Sequence, residues 1–369
     1  MILKRFFNNT NILLKEKFDL IIFSEGEHYQ KIYYDIIKKL KSKIKILYLT
    51  IDKSERLDLD NIKFINIGSG LKRQLYLNLL SGKIFLTTTP DIGNNEILIS
   101  KKISKYFYIF HSAASTHKLY NENAFDNFDV IMANGNYQIN ELKNLEVANS
   151  SKRKSFLKTG YVYFDYLYQN KSKEMNNKIL IAPSWNNNKN NFTSNICENL
   201  ISNLLSNDYQ VIFRPHPEQI KREADLIKKI KFLFKENKNF DLDTERSNLN
   251  SLNQSKMLIT DNSAIAIEFL LILKKPVLYM NYQDKLNNFN HNKINNEKLE
   301  DTVKSKFGFS LNLERKNFNN INNLILECER EFEKQKIKID DFLINNFFNF
   351  GKVADKAATQ IIDFLDHQD

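Results

Sequence analysis

The chain has 369 residues, of which 42% are hydrophobic and 12% are aromatic. This length and composition fit a folded protein with two domains and exclude an intrinsically disordered chain. Its two cysteines, Cys197 and Cys328, have no metal-ligand spacing and form no disulfide pattern, so we expect no obligatory metal. Lysine and arginine number 54 against 44 acidic residues, a net charge of +10 that suits an anionic partner. No nucleic-acid-binding motif accompanies this charge, so we expect no nucleic-acid partner.

The N-terminal stretch carries no signal-peptide pattern, and no apolar run approaches the ~20 residues of a membrane-spanning helix. We therefore expect a cytoplasmic protein. A helix predicted over residues 29–41 carries Lys38, Lys39 and Lys41 away from its apolar side. We interpret these lysines as a solvated face. Contact with anionic lipid headgroups, on the inner face of the cytoplasmic membrane, is the alternative.

Short apolar runs alternate with helical patterns along the whole chain, which predicts an α/β fold with parallel sheets. A polar stretch at 168–177 is typical of a linker, and a new strand pattern begins at Lys178. The predicted domains are residues 1–170 and residues 178–369. The last predicted helix, 352–366, is placed to fold back across the domain junction. The strands predicted in the first domain are 18–24, 44–50, 62–67, 83–88 and 105–111.

Four polar residues follow the strand predicted at 105–111, namely His111, Ser112, Ser115 and His117. Side chains at the carboxyl ends of parallel strands line the ligand-binding edge of a sheet. A histidine at this edge can remove a proton from an attacking hydroxyl, because its unperturbed pKa lies near neutral pH. We assign these residues to the acceptor side. The alternative is that the imidazoles cap a helix or bond to the backbone.

A second motif follows the strand at 209–213, where Arg214 and His216 alternate with two prolines. The prolines fix the backbone and present the imidazole at the strand's carboxyl end. Further along, Asp261, Asn262 and Ser263 join a strand to a helix. Asp261 or Ser263 is predicted to be the N-cap of that helix, whose amino end attracts phosphate.

Two more positions complete the predicted donor side. Glu268 lies within the first turns of the same helix, in reach of a ribose hydroxyl, and the alternative is a solvated surface charge. Ser184 ends the first strand of the second domain. The Asn-rich loop at 186–191 after it is placed to grip a donor, or else is a mobile surface loop.

Five segments of the chain are FHSAASTHKLY (110–120), LKTGYVYFDYL (157–167), KILIAPSWNNN (178–188), FRPHP (213–217) and TDNSAIAIEFLLILKKPVLY (260–279). In this order they resemble segments of the CDP-glycerol glycerophosphotransferase family, whose enzymes build teichoic-acid and capsule-like polymers. Two departures are Ser112, where many members have glycine, and Ala264, where they often have a second hydroxyl residue.

The resemblance implies a GT-B fold, in which two Rossmann-like domains face a central cleft. It places His111 at the position of the family's base, and His216 with Arg214 against the donor diphosphate. Asp261 and Ser263 would lie at the phosphate-binding helix start. The implied reaction moves glycerol phosphate, or a related alditol phosphate, from a CDP-linked donor to a saccharide or lipid-linked acceptor, with no obligatory cofactor.

Two alternatives remain at this stage. A GT-B glycosyltransferase that uses a CMP- or UDP-activated sugar has the same scaffold and the same place for His111, and fold alone does not separate the two. A non-catalytic scaffold of a polysaccharide assembly complex would keep the fold without turnover. The retention of His111, His216, Asp261 and Glu268 argues against such a scaffold.

Overall fold

The apolar strands of this chain are buried on both faces, and this decides its architecture. In β1 (Phe18–Ser24), Leu20, Ile21, Ile22 and Phe23 are all fully buried. A strand of this kind needs helices on both sides of its sheet, which is the layering of parallel α/β proteins. The computed structural model of the chain has this layering twice. It describes residues 2–94, 97–172, 177–185, 194–280, 294–311, 318 and 320–367.

The chain divides into two units. Unit 1 comprises Met1–Tyr166, Asn287–Asn296 and Ile344–Asp369, and unit 2 comprises Leu167–Leu286 and Glu297–Leu343. The predicted second domain, 178–369, ends in a helix predicted to fold back across the junction, and in the structure Ile344–Asp369 belong to unit 1. Periodicity identifies a helix and its apolar side, but it does not identify the sheet on which that side packs.

Unit 1 contains a seven-stranded parallel sheet with the order β3-β2-β1-β4-β5-β6-β7. The order reverses between β1 and β4, so the crevice at their carboxyl ends is the expected ligand site. Besides β1, the elements are α1 (Ile2–Lys15), α2 (Gln30–Leu40), β2 (Ile46–Thr50), β3 (Lys63–Asn66), α3 (Gly70–Leu79), β4 (Gly82–Thr87), β5 (Ile103–Ile109), β6 (Val130–Ala133), α4 (Asn136–Ala148), β7 (Ser155–Lys158) and α5 (Val162–Gln169), whose last residues belong to unit 2.

Unit 2 contains a six-stranded parallel sheet with the order β10-β9-β8-β11-β12-β13, which reverses between β8 and β11. This is the strand order of a dinucleotide-binding Rossmann fold. Its elements are β8 (Lys178–Ile181), α6 (Ser194–Ser206), β9 (Gln210–Phe213), α7 (Pro217–Arg222), α8 (Ala224–Phe234), β10 (Phe240–Leu242), α9 (Leu249–Gln254), β11 (Ser255–Thr260), α10 (Ile265–Leu271), β12 (Val277–Met280), α11 (Leu299–Phe307), β13 (Phe309–Leu311) and α12 (Ile321–Gln335). The boundary between the units falls within α13 (Ile339–Asn346), and α14 (Val353–Asp366) belongs to unit 1.

Helix α2 buries Ile32, Tyr33, Ile36, Ile37 and Leu40, as its periodicity predicted, and leaves Lys38 and Lys39 exposed. No helix in the part of the chain that the structure describes is both long enough and apolar enough to cross a membrane.

The C-terminal segment is held in unit 1 by backbone contacts. The N–H of Phe348 donates to the carbonyl oxygen of Asn134 at 2.8 Å. The Asp165 carboxylate accepts from the N–H groups of Gly351 (2.7 Å) and Val353 (2.8 Å), which lie just before and at the start of α14. Because the first N–H groups of a helix have no partner within it, Asp165 supplies the cap that the local sequence lacks.

We expect Gly160→Ala to destabilise unit 1 strongly. Gly160 has φ of +104°, and a Cβ there would lie 2.1 Å from the carbonyl oxygen of Phe348. Backbone strain and this clash together should lower the free energy of unfolding by about 2–5 kcal/mol. Gly351→Ala is the control, because Gly351 also has positive φ (+83°) but no atom within 4 Å of the added carbon. Thermal unfolding followed by circular dichroism measures both, and equal losses would contradict the contact at Gly160.

Candidate functional site

His111 follows β5 at the carboxyl edge of the sheet in unit 1. Its Nδ1 lies 3.2 Å from the carbonyl oxygen of Thr88, which directly follows β4. A carbonyl oxygen only accepts, so the neutral ring must carry its proton on Nδ1. The other ring nitrogen, Nε2, therefore has a free lone pair. This is the tautomer that a general base needs when Nε2 faces the substrate.

Burial lowers the pKa of His111 to about 4, and the positive charges of His28 and Lys31 act in the same direction. The hydrogen bond to Thr88 opposes this shift, since it favours the charged ring. At neutral pH the ring is therefore uncharged, and Nε2 carries no proton.

Several side chains around His111 carried no role in the sequence analysis. The Tyr29 ring packs edge-on against the imidazole with centroids 5.0 Å apart, and His28 packs against Tyr29 at 3.9 Å. The Tyr161 hydroxyl donates to the His111 carbonyl oxygen at 2.7 Å. The signal for His28 and Tyr29 was present, because both follow β1 at the same sheet edge as His111.

The loop that follows His111, residues 112–116, is held by hydrogen bonds from Asn134 and from one face of α4. Positions 134, 138 and 141 lie on consecutive turns, so their side chains point to the same segment. The bonds are Asn134 Nδ2 to Ser112 O (2.9 Å), Tyr137 OH to Ala113 O, Gln138 Nε2 to Ala114 O (3.2 Å), and both Thr116 N (2.6 Å) and Thr116 Oγ1 (2.7 Å) to Glu141 Oε2.

This loop contains the three residues predicted for the acceptor side. Ser112 is partly buried, and its hydroxyl accepts from the N–H of Ala114 at 3.2 Å. Ser115 and His117 are buried, with 0% and 1% exposure, and His117 Nδ1 lies 3.4 Å from a Glu141 carboxylate oxygen. Contact of these residues with an acceptor stays a prediction. In this structure Ser115 and His117 are buried within unit 1.

In unit 2, Ser184 and Asp261 meet at the point where the strand order reverses. Asp261 Oδ1 accepts from the Ser184 N–H at 2.9 Å, and Oδ2 accepts from the Ser184 hydroxyl at 2.7 Å. Burial raises the pKa of the Asp261 carboxyl, while the bonds from Ser184 act in the opposite direction. The carboxylate thus joins the segments after β8 and β11 across the crevice expected to hold a ligand.

The predicted N-cap is wrong. Helix α10 begins at Ile265, and its N-cap position is Ala264, a residue whose side chain cannot accept a hydrogen bond. Asp261 is not available because its carboxylate binds Ser184. Ser263 precedes the helix, and its carbonyl oxygen accepts from the N–H of Ala266 at 3.1 Å.

Asn262 and Glu268 lie on either side of this turn. The Asn262 side-chain oxygen accepts from Lys304 Nζ at 3.3 Å, which brings a cation from α11 to the carboxyl end of β11. Glu268 is 7% exposed, so its interpretation as a solvated surface charge is wrong. Ribose binding by Glu268 stays a prediction.

His216 is presented by the turn between β9 and α7. Its Nδ1 accepts from the Glu218 N–H at 3.1 Å, which caps the helix that begins at Pro217. A ring nitrogen that accepts carries no proton, so the proton of the neutral ring lies on Nε2. The neutral His216 ring therefore carries its proton on Nε2, whereas the neutral His111 ring carries its proton on Nδ1.

Arg214 holds the connection that follows β10. Its guanidinium forms an ion pair with Asp243 and donates to the carbonyl oxygens of Glu245 (2.8 Å) and Arg246 (3.4 Å). These contacts engage two of its nitrogens within unit 2. Contact between Arg214 and a donor diphosphate stays a prediction.

The predicted loop at 186–191 lies outside the described residues. Within the described ranges, no group of three or more His, Cys, Asp or Glu side chains is arranged to hold a metal ion.

The chain matches the model of a protein family. The model of the family described as CDP-Glycerol:Poly(glycerophosphate) glycerophosphotransferase matches residues 8–302. No curated protein sequence matches the chain.

Solved structures share the fold. The wall teichoic acid polymerase TagF has a TM-score of 0.62 at 14% identity, with 100% of this chain and 95% of that chain covered. A TagF variant soaked with CDPG has a TM-score of 0.60 at 14% identity, and the match covers 100% of this chain and 95% of that chain. The third structure is the UDP-GlcNAc 2-epimerase of Methanocaldococcus jannaschii in complex with UDP-GlcNAc and UDP. It has a TM-score of 0.58 at 15% identity, and the match covers 95% of this chain and 100% of that chain. The predicted fold class, α/β with two parallel-sheet domains of the GT-B type, is confirmed.

We expect Asp261→Ala to destabilise unit 2 more than Ser184→Ala does. Alanine removes both carboxylate oxygens, so the N–H and the hydroxyl of Ser184 lose their acceptor. A buried donor left without a partner costs about 1–3 kcal/mol, whereas Ser184→Ala removes only the hydroxyl and keeps the backbone bond. Urea unfolding of both variants measures the difference. A larger loss in Ser184→Ala would contradict the bonding scheme.

We expect the His111 ring to stay neutral at pH 5, where an unperturbed imidazole with a pKa near 6.5 is mostly charged. Its pKa of about 4 in the folded state means that the unfolded chain binds more protons between pH 4 and 6.5. Stability from this group is therefore present above pH 6.5 and is lost as the pH falls, by about 2 kcal/mol between pH 7 and 5. NMR titration measures the pKa, and unfolding of His111→Gln should show a smaller loss over this pH range. Titration of His111 near pH 6.5 would contradict the expectation.

Proposed function

The chain belongs to the CDP-glycerol:poly(glycerophosphate) glycerophosphotransferase family, and from that membership we propose the reaction it catalyses. The family makes the chain a transferase. Our proposal is that it moves glycerol phosphate, or a related alditol phosphate, from a CDP-linked donor to a saccharide or lipid-linked acceptor. The process it would serve is the synthesis of a bacterial surface polysaccharide of the capsule or teichoic-acid type.

The observation that carries this proposal is the opposite state of the two histidines. His111 has a lone pair on Nε2, because its Nδ1–H is directed to the Thr88 carbonyl oxygen. His216 has a proton on Nε2, because its Nδ1 accepts from the Glu218 N–H. A phosphoryl transfer from a diphosphate needs both, since one group must remove a proton and another must stabilise negative charge.

In the proposed step, the oxygen of an acceptor hydroxyl forms a bond to the β-phosphorus of the donor. The bond from this phosphorus to the bridging oxygen breaks, and CMP leaves with the electron pair. The proton of the hydroxyl goes to Nε2 of His111. The Nε2–H of His216 donates to the oxygen on which charge develops, which is electrostatic catalysis of the kind that phosphoryl transfer requires.

Other residues have supporting roles in the proposal. Ser184, fixed by Asp261, and Ser263 border the crevice where the strand order of unit 2 reverses, which is where a nucleotide binds in such sheets. Lys304, held by Asn262, supplies a positive charge near the same edge. Arg214 acts as a positioning residue, because its contacts to Asp243 and the following loop order the segment beside His216.

The choice of donor rests on two facts about relatives. The family description names CDP-glycerol, and one TagF structure was obtained after a soak with CDPG. We propose CDP-glycerol as the first donor to test, with no cofactor beyond it. We also propose a site of action at the inner face of the cytoplasmic membrane, for which the net charge of +10 gives support. Lys39 of α2, one of the lysines that the lipid alternative would use, pairs with Asp355 at 2.6 Å.

We expect cytidine nucleotides to raise the melting temperature of the protein selectively, since a ligand that binds the native state stabilises it by mass action. The panel is CMP, CDP, CDP-glycerol, UDP, GDP and ADP, with and without magnesium. His216→Ala should reduce the shift, and His111→Ala should keep it but lower the rate of CMP release from CDP-glycerol by about 10²–10⁴-fold. His367→Ala, at an exposed position in unit 1, is the control.

Each outcome decides between the candidate functions. Full transfer activity in His216→Ala would overturn its donor role. Selective stabilisation by UDP, or transfer of a sugar from a CMP- or UDP-sugar supplied to the same protein, would replace the proposal by a sugar transferase. Stabilisation by none of the nucleotides would favour the non-catalytic scaffold.

A further inference from the structure

We propose that Tyr33 is a positioning residue that acts through Thr88 to fix the tautomer of His111. The expected effect on the reaction rate rests on the proposed role of His111 as base. The expected effect on which nitrogen of His111 carries the proton does not depend on that role.

Tyr33 lies on α2, and its hydroxyl reaches the point where the strand order of unit 1 reverses. The side chain is fully buried, and burial raises the pKa of the phenol above its usual value, so it stays protonated. The hydroxyl lies 3.0 Å from the Phe23 carbonyl oxygen, 2.8 Å from the Thr88 backbone nitrogen and 3.2 Å from Thr88 Oγ1.

The hydrogen-bonding capacity of the phenol accounts for all three contacts. A tyrosine hydroxyl has one proton and two lone pairs. The Phe23 carbonyl oxygen can only accept, so it takes the proton. The two lone pairs then accept from the N–H and the hydroxyl of Thr88. The one proton and both lone pairs of the Tyr33 hydroxyl thus take part in hydrogen bonds, which join Phe23 in β1 to Thr88 after β4.

These bonds hold the residue whose carbonyl oxygen contacts His111. Phe23 and Thr87 are direct partners in the ladder between β1 and β4, so Thr88 is the first residue of this strand beyond the ladder. At that position the N–H of Thr88 bonds to the Tyr33 hydroxyl, and its carbonyl oxygen receives the Nδ1–H of His111 at 3.2 Å. Tyr33 therefore determines where this acceptor lies.

The alternative is that Tyr33 contributes only to stability, as any buried and bonded tyrosine does. The chain offers a matched comparison. Tyr106 is also buried in unit 1, and its hydroxyl accepts from the Ser100 N–H at 2.8 Å and donates to the Ser100 carbonyl oxygen at 3.1 Å. It lies on β5 and its hydroxyl bonds have no link to Thr88 or His111. Tyr106→Phe removes the same atom and the same kinds of bond without touching the base.

The experiment compares Tyr33→Phe with Tyr106→Phe in the full chain. Long-range proton–nitrogen NMR spectra report which ring nitrogen carries the proton, and the His111 signals are assigned by their loss in His111→Gln. We expect the Nδ1–H form in the wild type and in Tyr106→Phe, and a mixture of both tautomers in Tyr33→Phe. With CDP-glycerol, kcat of Tyr33→Phe should fall by about tenfold, which corresponds to about 1.4 kcal/mol. Its KM for the donor should stay within about twofold.

The outcomes separate the inference from the proposed function. An unchanged His111 tautomer in Tyr33→Phe, with a rate loss equal to that of Tyr106→Phe, overturns the inference. A tautomer change without a rate change supports the role of Tyr33 and overturns His111 as the base. Should Tyr33→Phe fail to fold, Thr88→Val decides, because it removes only the hydroxyl that bonds to Tyr33. A change of the His111 tautomer in Thr88→Val, in the same direction but smaller than the one expected for Tyr33→Phe, supports the inference. An unchanged tautomer in Thr88→Val overturns it.

Discussion

The parallel arrangement of every strand is the constraint on which the rest of this structure depends. Strands buried on both faces leave no room for polar side chains along their length, so hydrogen-bonding groups collect beyond their ends. Since the strands of each sheet run in one direction, all their carboxyl ends lie at one edge. His111 and Ser112 occupy this edge in unit 1, and Ser184, His216 and Asp261 occupy it in unit 2. The chemistry therefore follows from topology before any particular residue is considered.

Within that constraint, backbone hydrogen bonds decide what each histidine can do. His111 directs its Nδ1–H to a carbonyl oxygen, and His216 receives an N–H at the same atom. The identical side chain thus becomes a proton acceptor in one unit and a proton donor in the other. Neither assignment needs a neighbouring carboxylate, because the main chain supplies both partners.

Sequence reasoning predicted the two sheets, the positions of most of their strands and the segments that carry the histidines. These features are local, because a strand pattern and the residues after it are adjacent in the chain. The missed features are distant in sequence. Asp165 caps a helix about 190 residues later, and the partner of Asp261 is Ser184, 77 residues earlier. The predicted N-cap at Asp261 was wrong for this reason, since a side chain favoured at a helix start was already bound elsewhere.

The buried loop after His111 shows how such distant contacts bear on function. Two of its polar residues, Ser115 and His117, were predicted for the acceptor side, yet both are buried, and Glu141 of α4 binds Thr116 and lies beside His117. Polar residues that satisfy one another inside a unit fix the path of the backbone, because each would be costly to bury alone. The precision with which His111 is placed thus has two sources. The polar contacts of α4 fix the segment after it, and Tyr33 fixes the carbonyl oxygen that orients its ring.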